Sequence, residues 1–128
     1  MVRPDARTIG SDAERLAHEF LQKNGLRQIA RNFRCRLGEI DLIMRDGNCL
    51  VIIEVRYRKG NRFARASLSV DIRKQRKIIR TTAMFLARNA HYANSVVRFD
   101  VVAIDADAGG EQKIEWIKDA FRPTDSSL

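Results

Sequence analysis

The spacing of apolar residues predicts a helix near the N-terminus. We expect it to run from about Ser11 to Asn24, because the segment SDAE has the form of a capping box with Glu14 at the third helical position. Gly25 follows, and glycine is the residue that most often ends a helix. The apolar face of this helix comprises Ala13, Leu16, Ala17, Phe20 and Leu21.

A second helix is predicted from Asp71, as its N-cap, to about Asn89. Its apolar residues recur at helical spacing, which predicts that one face packs on a core. That face comprises Ile72, Ile79, Ala83 and Leu86, and Arg73, Lys77 and Arg80 lie on another face.

Five further segments have the composition of β-strands, at about residues 26–33, 39–45, 50–57, 96–105 and 113–117. The segment LVIIEV is almost continuously apolar, as an interior strand of a sheet is, whereas KIEWI is expected at an edge. The residues DGN between the second and third strands predict a hairpin. The order α-β-β-β-α-β-β therefore predicts a mixed α/β fold around one central sheet.

Length and composition predict one domain in a reducing compartment. The chain has 128 residues, which we interpret as a single domain with its core at about residues 10–118 and loose tails at 1–9 and 119–128. Two cysteines, Cys35 and Cys49, do not make a disulfide framework, and no secretory signal is visible. No apolar run approaches the roughly 18 residues that span a bilayer. We therefore expect a cytoplasmic protein that is not inserted in a membrane.

The positive charge is concentrated in one part of the chain. The net charge is +8, and between Arg56 and Arg80 ten Lys or Arg residues accompany one acidic residue, Asp71. Such a concentration favours a polyphosphate partner, although a solvated helix face beside a basic loop would have the same composition. An anionic membrane is a weaker candidate, because the basic helix carries few large apolar anchors.

Two acidic residues, Asp41 and Glu54, interrupt strands that are otherwise apolar. Side chains alternate across a strand, so Glu54 and Arg56 share a face. A two-residue loop of Asp46 and Gly47 would set Asp41 diagonal to Glu54, roughly 7–8 Å away, and a four-residue loop from Asp46 to Cys49 would set the two directly opposite, at about 5 Å. A three-residue loop would separate them onto opposite faces.

Two carboxylates so close repel each other, and partial burial increases the cost of their charge. A hard divalent cation such as Mg²⁺ relieves both effects, since it binds carboxylate oxygens, waters and phosphates. Arg56 beside such a metal could hold a phosphate oxygen, as cleavage of a phosphodiester requires. Alternatively, Asp41, Glu54 and Arg56 form a structural ion-pair cluster. Asp100, in the segment RFDVV, is interpreted as structural through pairing with Arg98 or with a basic helix residue.

These motifs together resemble a known family. The segments GEIDLI, VIIEVRYR, KQRKI and VRFDVV, in this order over about residues 10–104, resemble the YraN family of small bacterial proteins. That family is similar to archaeal Holliday-junction resolvases and to the PD-(D/E)XK nuclease superfamily. The resemblance implies a restriction endonuclease-like fold and a metal-dependent endonuclease that acts on DNA, with Mg²⁺ or Mn²⁺ as cofactor. A homodimer would suit the cleavage of a junction.

The resemblance also implies roles for individual residues. The metal would be held by Asp41, Glu54, Val55 and Glu14. Arg56 stands where the superfamily usually has Lys, and Arg cannot act as a base, so its expected role is to stabilise the transition state. The nucleic acid would contact the basic loop and the second helix through Arg58, Lys59, Arg62, Arg65, Arg73, Lys74, Gln75 and Lys77.

Two other functions remain open from the sequence. The Lys-to-Arg exchange at Arg56 favours a nucleic-acid-binding module that keeps the nuclease-like fold without cleavage. A basic adaptor that docks on an acidic protein would also account for the net charge. DNA and RNA are not distinguished by these residues.

Overall fold

A computed structural model describes residues 6–59, 70–106 and 112–123, and the side chains of residues 12–57, 70–105 and 112–123. Within these ranges the chain forms two helices, five strands and one short 3₁₀ turn. The helices are α1 (Ala6–Lys23) and α2 (Ile72–Arg88), the 3₁₀ turn is Ala90–Tyr92, and the strands are β1 (Arg27–Cys35), β2 (Gly38–Asp46), β3 (Cys49–Lys59), β4 (Val96–Ala106) and β5 (Gln112–Phe121). The predicted order α-β-β-β-α-β-β is confirmed.

The five strands form one mixed sheet in the order β1-β2-β3-β4-β5. All neighbours are antiparallel except β3 and β4, which are parallel. A parallel pair needs a crossover, and α2 lies in that crossover. The prediction that β3 is interior and β5 is an edge strand is confirmed, and the arrangement is compatible with an α/β nuclease-like fold.

Each face of the sheet is covered by one helix. The core beneath α2 includes Ile78, Ile79 and Phe85 of the helix. The core beneath α1 is built on Ala13, Ala17 and Leu21, which are at most 3% exposed. Small alanines let α1 approach the sheet closely. The predicted apolar face of α1 is thus confirmed, since Leu16 and Phe20 also pack against this core.

The predicted start of α1 is wrong. The helix begins at Ala6, so Ser11 lies inside it and is not its N-cap. The capping-box interpretation of Glu14 fails for the same reason, because its position is more than two turns into the helix rather than in the first turn. At the other end the prediction is confirmed: Gly25 has φ 93°, and the Leu26 N–H donates to the Leu21 carbonyl at 3.1 Å.

The limits of α2 are confirmed, but its buried face is only partly as predicted. Asp71 caps the helix by accepting a hydrogen bond from the Lys74 N–H at 2.9 Å. Ile72 is 54% exposed and Ala83 is exposed, whereas two threonines are buried. The sequence pattern missed the threonines because they are polar. Their hydroxyls donate to carbonyls one turn earlier, Thr81 to Lys77 at 2.7 Å and Thr82 to Ile78 at 2.8 Å.

None of the helices in the described ranges combines the length and the hydrophobicity that crossing a bilayer requires.

Candidate metal centre

The hairpin between β2 and β3 sets the distance between the two strand acids. Asp46 pairs with Cys49 and Arg45 with Leu50, so the turn consists of Gly47 and Asn48, with φ 60° at Gly47. The two-residue loop predicted at Asp46 and Gly47 is therefore wrong, because Asp46 belongs to the ladder. The pairing is the one predicted for the longer loop, and its continuation places Asp41 directly opposite Glu54.

The ladder between β2 and β3 ends one pair before these acids. Its last pair is Leu42 with Ile53. Beyond it the Val55 N–H donates to Asp41 Oδ2 at 2.8 Å, while β3 continues its parallel pairing with β4. The Asp41 carboxylate thus takes a position that a backbone carbonyl of β2 would otherwise occupy. For Val55, a predicted metal-binding position, the structure shows this N–H contact to the metal-binding acid.

The regular alternation of faces along β2 is also interrupted at Asp41. Ile40 and Ile43 both pack in the core beneath α2, whereas Leu42 and Met44 pack in the core beneath α1. Two successive residues, Asp41 and Leu42, therefore separate two positions on the same face. This irregularity is typical of a β-bulge, and bulges frequently occur next to active sites because they redirect a side chain.

Three carboxylates converge at this point. Glu14 of α1 and Glu39 and Asp41 of β2 each have an oxygen within 4.8 Å of the others. Glu14 is half-buried, and the Glu39 side chain is 41% exposed, so the cluster is open to solvent. Glu39 was missed from the sequence. The signal was present, because Glu39 and Asp41 are two residues apart on a strand, a spacing that places side chains on one face.

The surroundings of Asp41 disfavour its negative charge. Burial, followed by the nearby charge of Glu54, raises the pKa of Asp41 to about 7, and Glu14 adds to the effect. The hydrogen bond from Val55 and the charge of Lys74 oppose the rise but do not cancel it. The site therefore carries an excess of negative charge.

Burial also raises the pKa of Glu14, the predicted acid of the first helix. A hydrogen bond from the Asn32 side chain opposes this rise, as do the charges of Arg31 and Arg34. Arg34 also forms an ion pair with Glu39 at 3.3 Å. The α1 side of the cluster is thus lined by donors that favour ionised carboxylates.

Glu54 lies beside α2. It is 8% exposed, and its Oε1 is 2.6 Å from Lys74 Nζ. The structure therefore brings Lys74 from the predicted nucleic-acid surface into contact with the predicted metal site. Arg56, two residues along the same strand, is half-buried.

The other predicted nucleic-acid residues differ in position. Arg73 and Lys77 are exposed on α2. Gln75 is half-buried, and its amide donates to the Val70 carbonyl at 2.7 Å, which ties the start of α2 to the preceding segment. Arg62 and Arg65 lie outside the described residues. Arg58 and Lys59 lie at the end of β3, outside the range of described side chains.

Comparison with known proteins identifies the family of this chain. A family model described as Uncharacterised protein family UPF0102 matches residues 13–104. This chain belongs to the UPF0102 family. The match includes both helices, β1 to β3 and all the acids of the candidate centre, and the resemblance to the YraN family is thereby confirmed.

Individual UPF0102 proteins cover nearly the whole chain. One from Nitrosococcus oceani is 48% identical over 113 residues, which are 88% of this chain and 90% of that protein. One from Pseudomonas fluorescens strain Pf0-1 is 47% identical over 112 residues, 88% of this chain and 91% of that protein. One from Pseudomonas syringae pv. syringae is 43% identical over 121 residues, 94% of this chain and 98% of that protein.

Proposed function

We propose that this UPF0102 protein is an endonuclease that cleaves DNA with Mg²⁺ or Mn²⁺ as cofactor. The observation that carries the proposal is the convergence of Glu14, Glu39 and Asp41, whose carboxylate oxygens lie within 4.8 Å of one another. Mutual repulsion makes this arrangement costly unless a cation neutralises it.

The donor set fits a hard divalent cation. All three groups offer oxygen and none offers nitrogen or sulfur, which favours Mg²⁺ or Mn²⁺ over zinc. Glu14, Glu39 and Asp41 would hold the ion on the α1 side, and Glu54 lies across from Asp41 on β3. A metal bound there supplies an activated water and stabilises negative charge on the phosphate.

Two cations of the chain can assist at the phosphate. Arg56 carries a permanent charge and can donate two parallel hydrogen bonds to phosphate oxygens. Lys74 lies at Glu54 and has a compact ammonium, which can give up its proton, whereas arginine cannot. We therefore assign to Lys74 the role that the superfamily usually gives to the lysine at position 56, with Arg56 stabilising the developing charge.

Exposed basic residues continue from the acids along α2. Arg73 and Lys77 lie within one turn of Lys74, and they can contact the phosphate backbone of a nucleic acid. Phosphate contacts are independent of sequence, which suits an enzyme that selects the shape of its substrate. DNA is the substrate that the likeness to resolvases implies, with branched or single-stranded structures as the preferred forms.

A cleavage assay tests the proposal. Purified protein is mixed with labelled duplex, single-stranded, flap and four-way-junction DNA, in the presence of Mg²⁺, Mn²⁺ or chelator. We expect cleavage that needs metal and that falls at least about 10²-fold in Asp41→Asn, as a loss of metal-based catalysis implies. Glu14→Gln should also lose activity, and Glu19→Gln is its matched control, because Glu19 is an exposed Glu on the same helix.

The second candidate function is nucleic-acid binding without cleavage. The observation that favours it is Arg56 in place of the usual lysine. It predicts binding that weakens steeply as salt rises, since phosphate contacts release counterions. Salt-sensitive binding with no cleavage under any metal condition would favour this function over the nuclease, and equal cleavage by the wild type and Asp41→Asn would remove the nuclease proposal.

A further inference from the structure

Asn32 of β1 has a backbone conformation that is rare in a strand. Its φ is 52°, and among the described residues other than glycine only Asp119 also has a positive φ. A left-handed residue other than glycine carries a strain of about 1–2 kcal/mol. Such strain persists where the surrounding structure imposes it, and it concentrates at functional sites.

Asn32 faces the distorted part of β2. The ladder between β1 and β2 pairs Arg31 with Leu42 and Phe33 with Ile40, and the position between these pairs sets Asn32 opposite Asp41. Both strands are therefore irregular at the same level of the sheet. The distortion of β1 lies beside the acid cluster and not at a strand end.

The side chain of Asn32 contacts an acid of the cluster. Its amide donates a hydrogen bond to the Glu14 carboxylate. Asn32 itself is exposed, so water could satisfy the amide, and burial does not demand this contact. Glycine would adopt the same backbone conformation with less strain. The backbone alone thus does not account for an asparagine, whereas the amide donor does.

We propose that Asn32 is a positioning residue that holds the Glu14 carboxylate beside Asp41 and Glu39 for binding of the divalent cation. The inference rests on the proposed metal centre and adds to it a residue of β1. Groups that orient metal ligands through hydrogen bonds commonly change metal affinity 10- to 100-fold when they are removed.

The variant Asn32→Gly separates the side chain from the backbone. It keeps the left-handed conformation, so we expect the urea midpoint of unfolding to be unchanged or raised. We expect the Kd for Mn²⁺, measured by calorimetry, to rise about 10-fold. Asp119→Gly is the matched control, because it relieves a left-handed residue, with φ 55°, in β5, and its Mn²⁺ affinity should equal that of the wild type.

A spectroscopic count of bound water distinguishes positioning from a general loss of structure. Tb³⁺, a hard cation that prefers oxygen ligands, is bound in place of Mn²⁺, and its luminescence lifetime is compared in H₂O and D₂O. If Asn32 holds Glu14 on the metal, Asn32→Gly and Glu14→Gln should each show about one more coordinated water than the wild type. Asn32→Asp, which also tolerates the left-handed conformation but repels Glu14, should show the same gain and serves if Asn32→Gly does not fold.

The outcomes separate this inference from the proposed function. Mn²⁺ binding by the wild type with an unchanged Kd and unchanged hydration in both Asn32 variants would overturn the role of Asn32 alone. No Mn²⁺ binding by the wild type would overturn the metal centre and the role of Asn32 together. A weakened Kd with one added water in the Asn32 variants, and neither change in Asp119→Gly, would support the inference.

Discussion

Two aspartates in neighbouring strands of the sheet have opposite surroundings. Asp100 of β4 is 0% exposed and accepts four hydrogen bonds, two from Arg98 and one each from the Trp116 ring and the Asp119 N–H, all at 2.9 Å. Asp41 of β2 accepts the hydrogen bond of the Val55 N–H.

The charges around the two groups differ as much as the hydrogen bonds. The guanidinium of Arg98 lies against Asp100, and their hydrogen bond raises the pKa of Arg98. Around Asp41 the acids Glu14 and Glu54 raise the pKa of its carboxyl. Asp100 is therefore neutralised from within the chain, whereas the acids around Asp41 await a proton or a cation. The comparison separates a structural carboxylate from one that is prepared for a ligand.

The largest expected effect comes from breaking the Asp100 network. In Asp100→Asn, one acceptor oxygen becomes an amide donor facing the donors of Arg98 or Trp116, and the guanidinium loses its counter-charge. We expect the free energy of unfolding to fall by about 3–5 kcal/mol, as for other broken buried pairs. Urea denaturation measures it.

The control for this variant is Asp46→Asn, because Asp46 contacts the same Arg98 at 3.3 Å from a position that is 40% exposed. An exposed pair contributes about 0–1 kcal/mol, so the control should lose no more than that. Equal losses in the two variants would show that Asp100 is no more important than a surface acid.

Asp41→Asn should have the opposite sign. The pKa of Asp41 is raised from an ordinary 3.8 to about 7, so the folded state favours the protonated form. Without metal, the wild type should lose stability as pH rises from about 4 to about 7, and the loss is complete above that range. A neutral Asn avoids this loss, so at pH 8 the variant should be more stable than the wild type by about 2–4 kcal/mol.

The measurement is urea denaturation of both proteins in chelator at pH 4.5, 6 and 8. Adding Mn²⁺ at pH 8 should stabilise the wild type and leave Asp41→Asn unchanged, because only the wild type retains the full set of acids. A variant that is less stable than the wild type at pH 8 in chelator would contradict the interpretation of Asp41 as a destabilised carboxylate.

The same contrast shows what could be predicted from the sequence. Hydrophobic periodicity located both helices and all five strands, because each buries one continuous apolar face. It also pointed to Asp41 and Glu54, since charges inside apolar strands are conspicuous. The pairing of Asp100 with Arg98 was predicted as one of two structural alternatives and is confirmed.

What the sequence did not predict depends on backbone irregularity and on distant contacts. Glu39 joins the cluster because β2 is distorted at Asp41, and Asn32 contributes because its φ is 52°. Neither feature has a periodic signal. Lys74 meets Glu54 only because α2 packs on the sheet at that level, which helix spacing alone does not reveal.

A smaller effect is expected from Lys74→Met, which leaves Glu54 8% exposed without its ammonium partner. Lys74 is 48% exposed, so solvent weakens the pair, and we expect a loss of about 1–2 kcal/mol in chelator at pH 8. The control Arg76→Met removes an exposed cation of the same helix and should change stability by less than about 0.5 kcal/mol. A loss no larger than that of the control would show that Lys74 does not neutralise Glu54.

The smallest effect should come from Trp116→Phe, which removes one of the four donors to Asp100 and keeps a ring. Trp116 Nε1 lies 2.9 Å from Asp100 Oδ2, and its ring meets Phe20 edge-on at 6.1 Å. Arg98 still donates to the same oxygen, so the carboxylate stays neutralised, and the loss should be about 1–2 kcal/mol in urea denaturation. If Trp116→Phe cost as much as Asp100→Asn, the indole and not the guanidinium would hold Asp100. The contrast with Asp41 would then rest on a hydrogen bond to a neutral group rather than on charge.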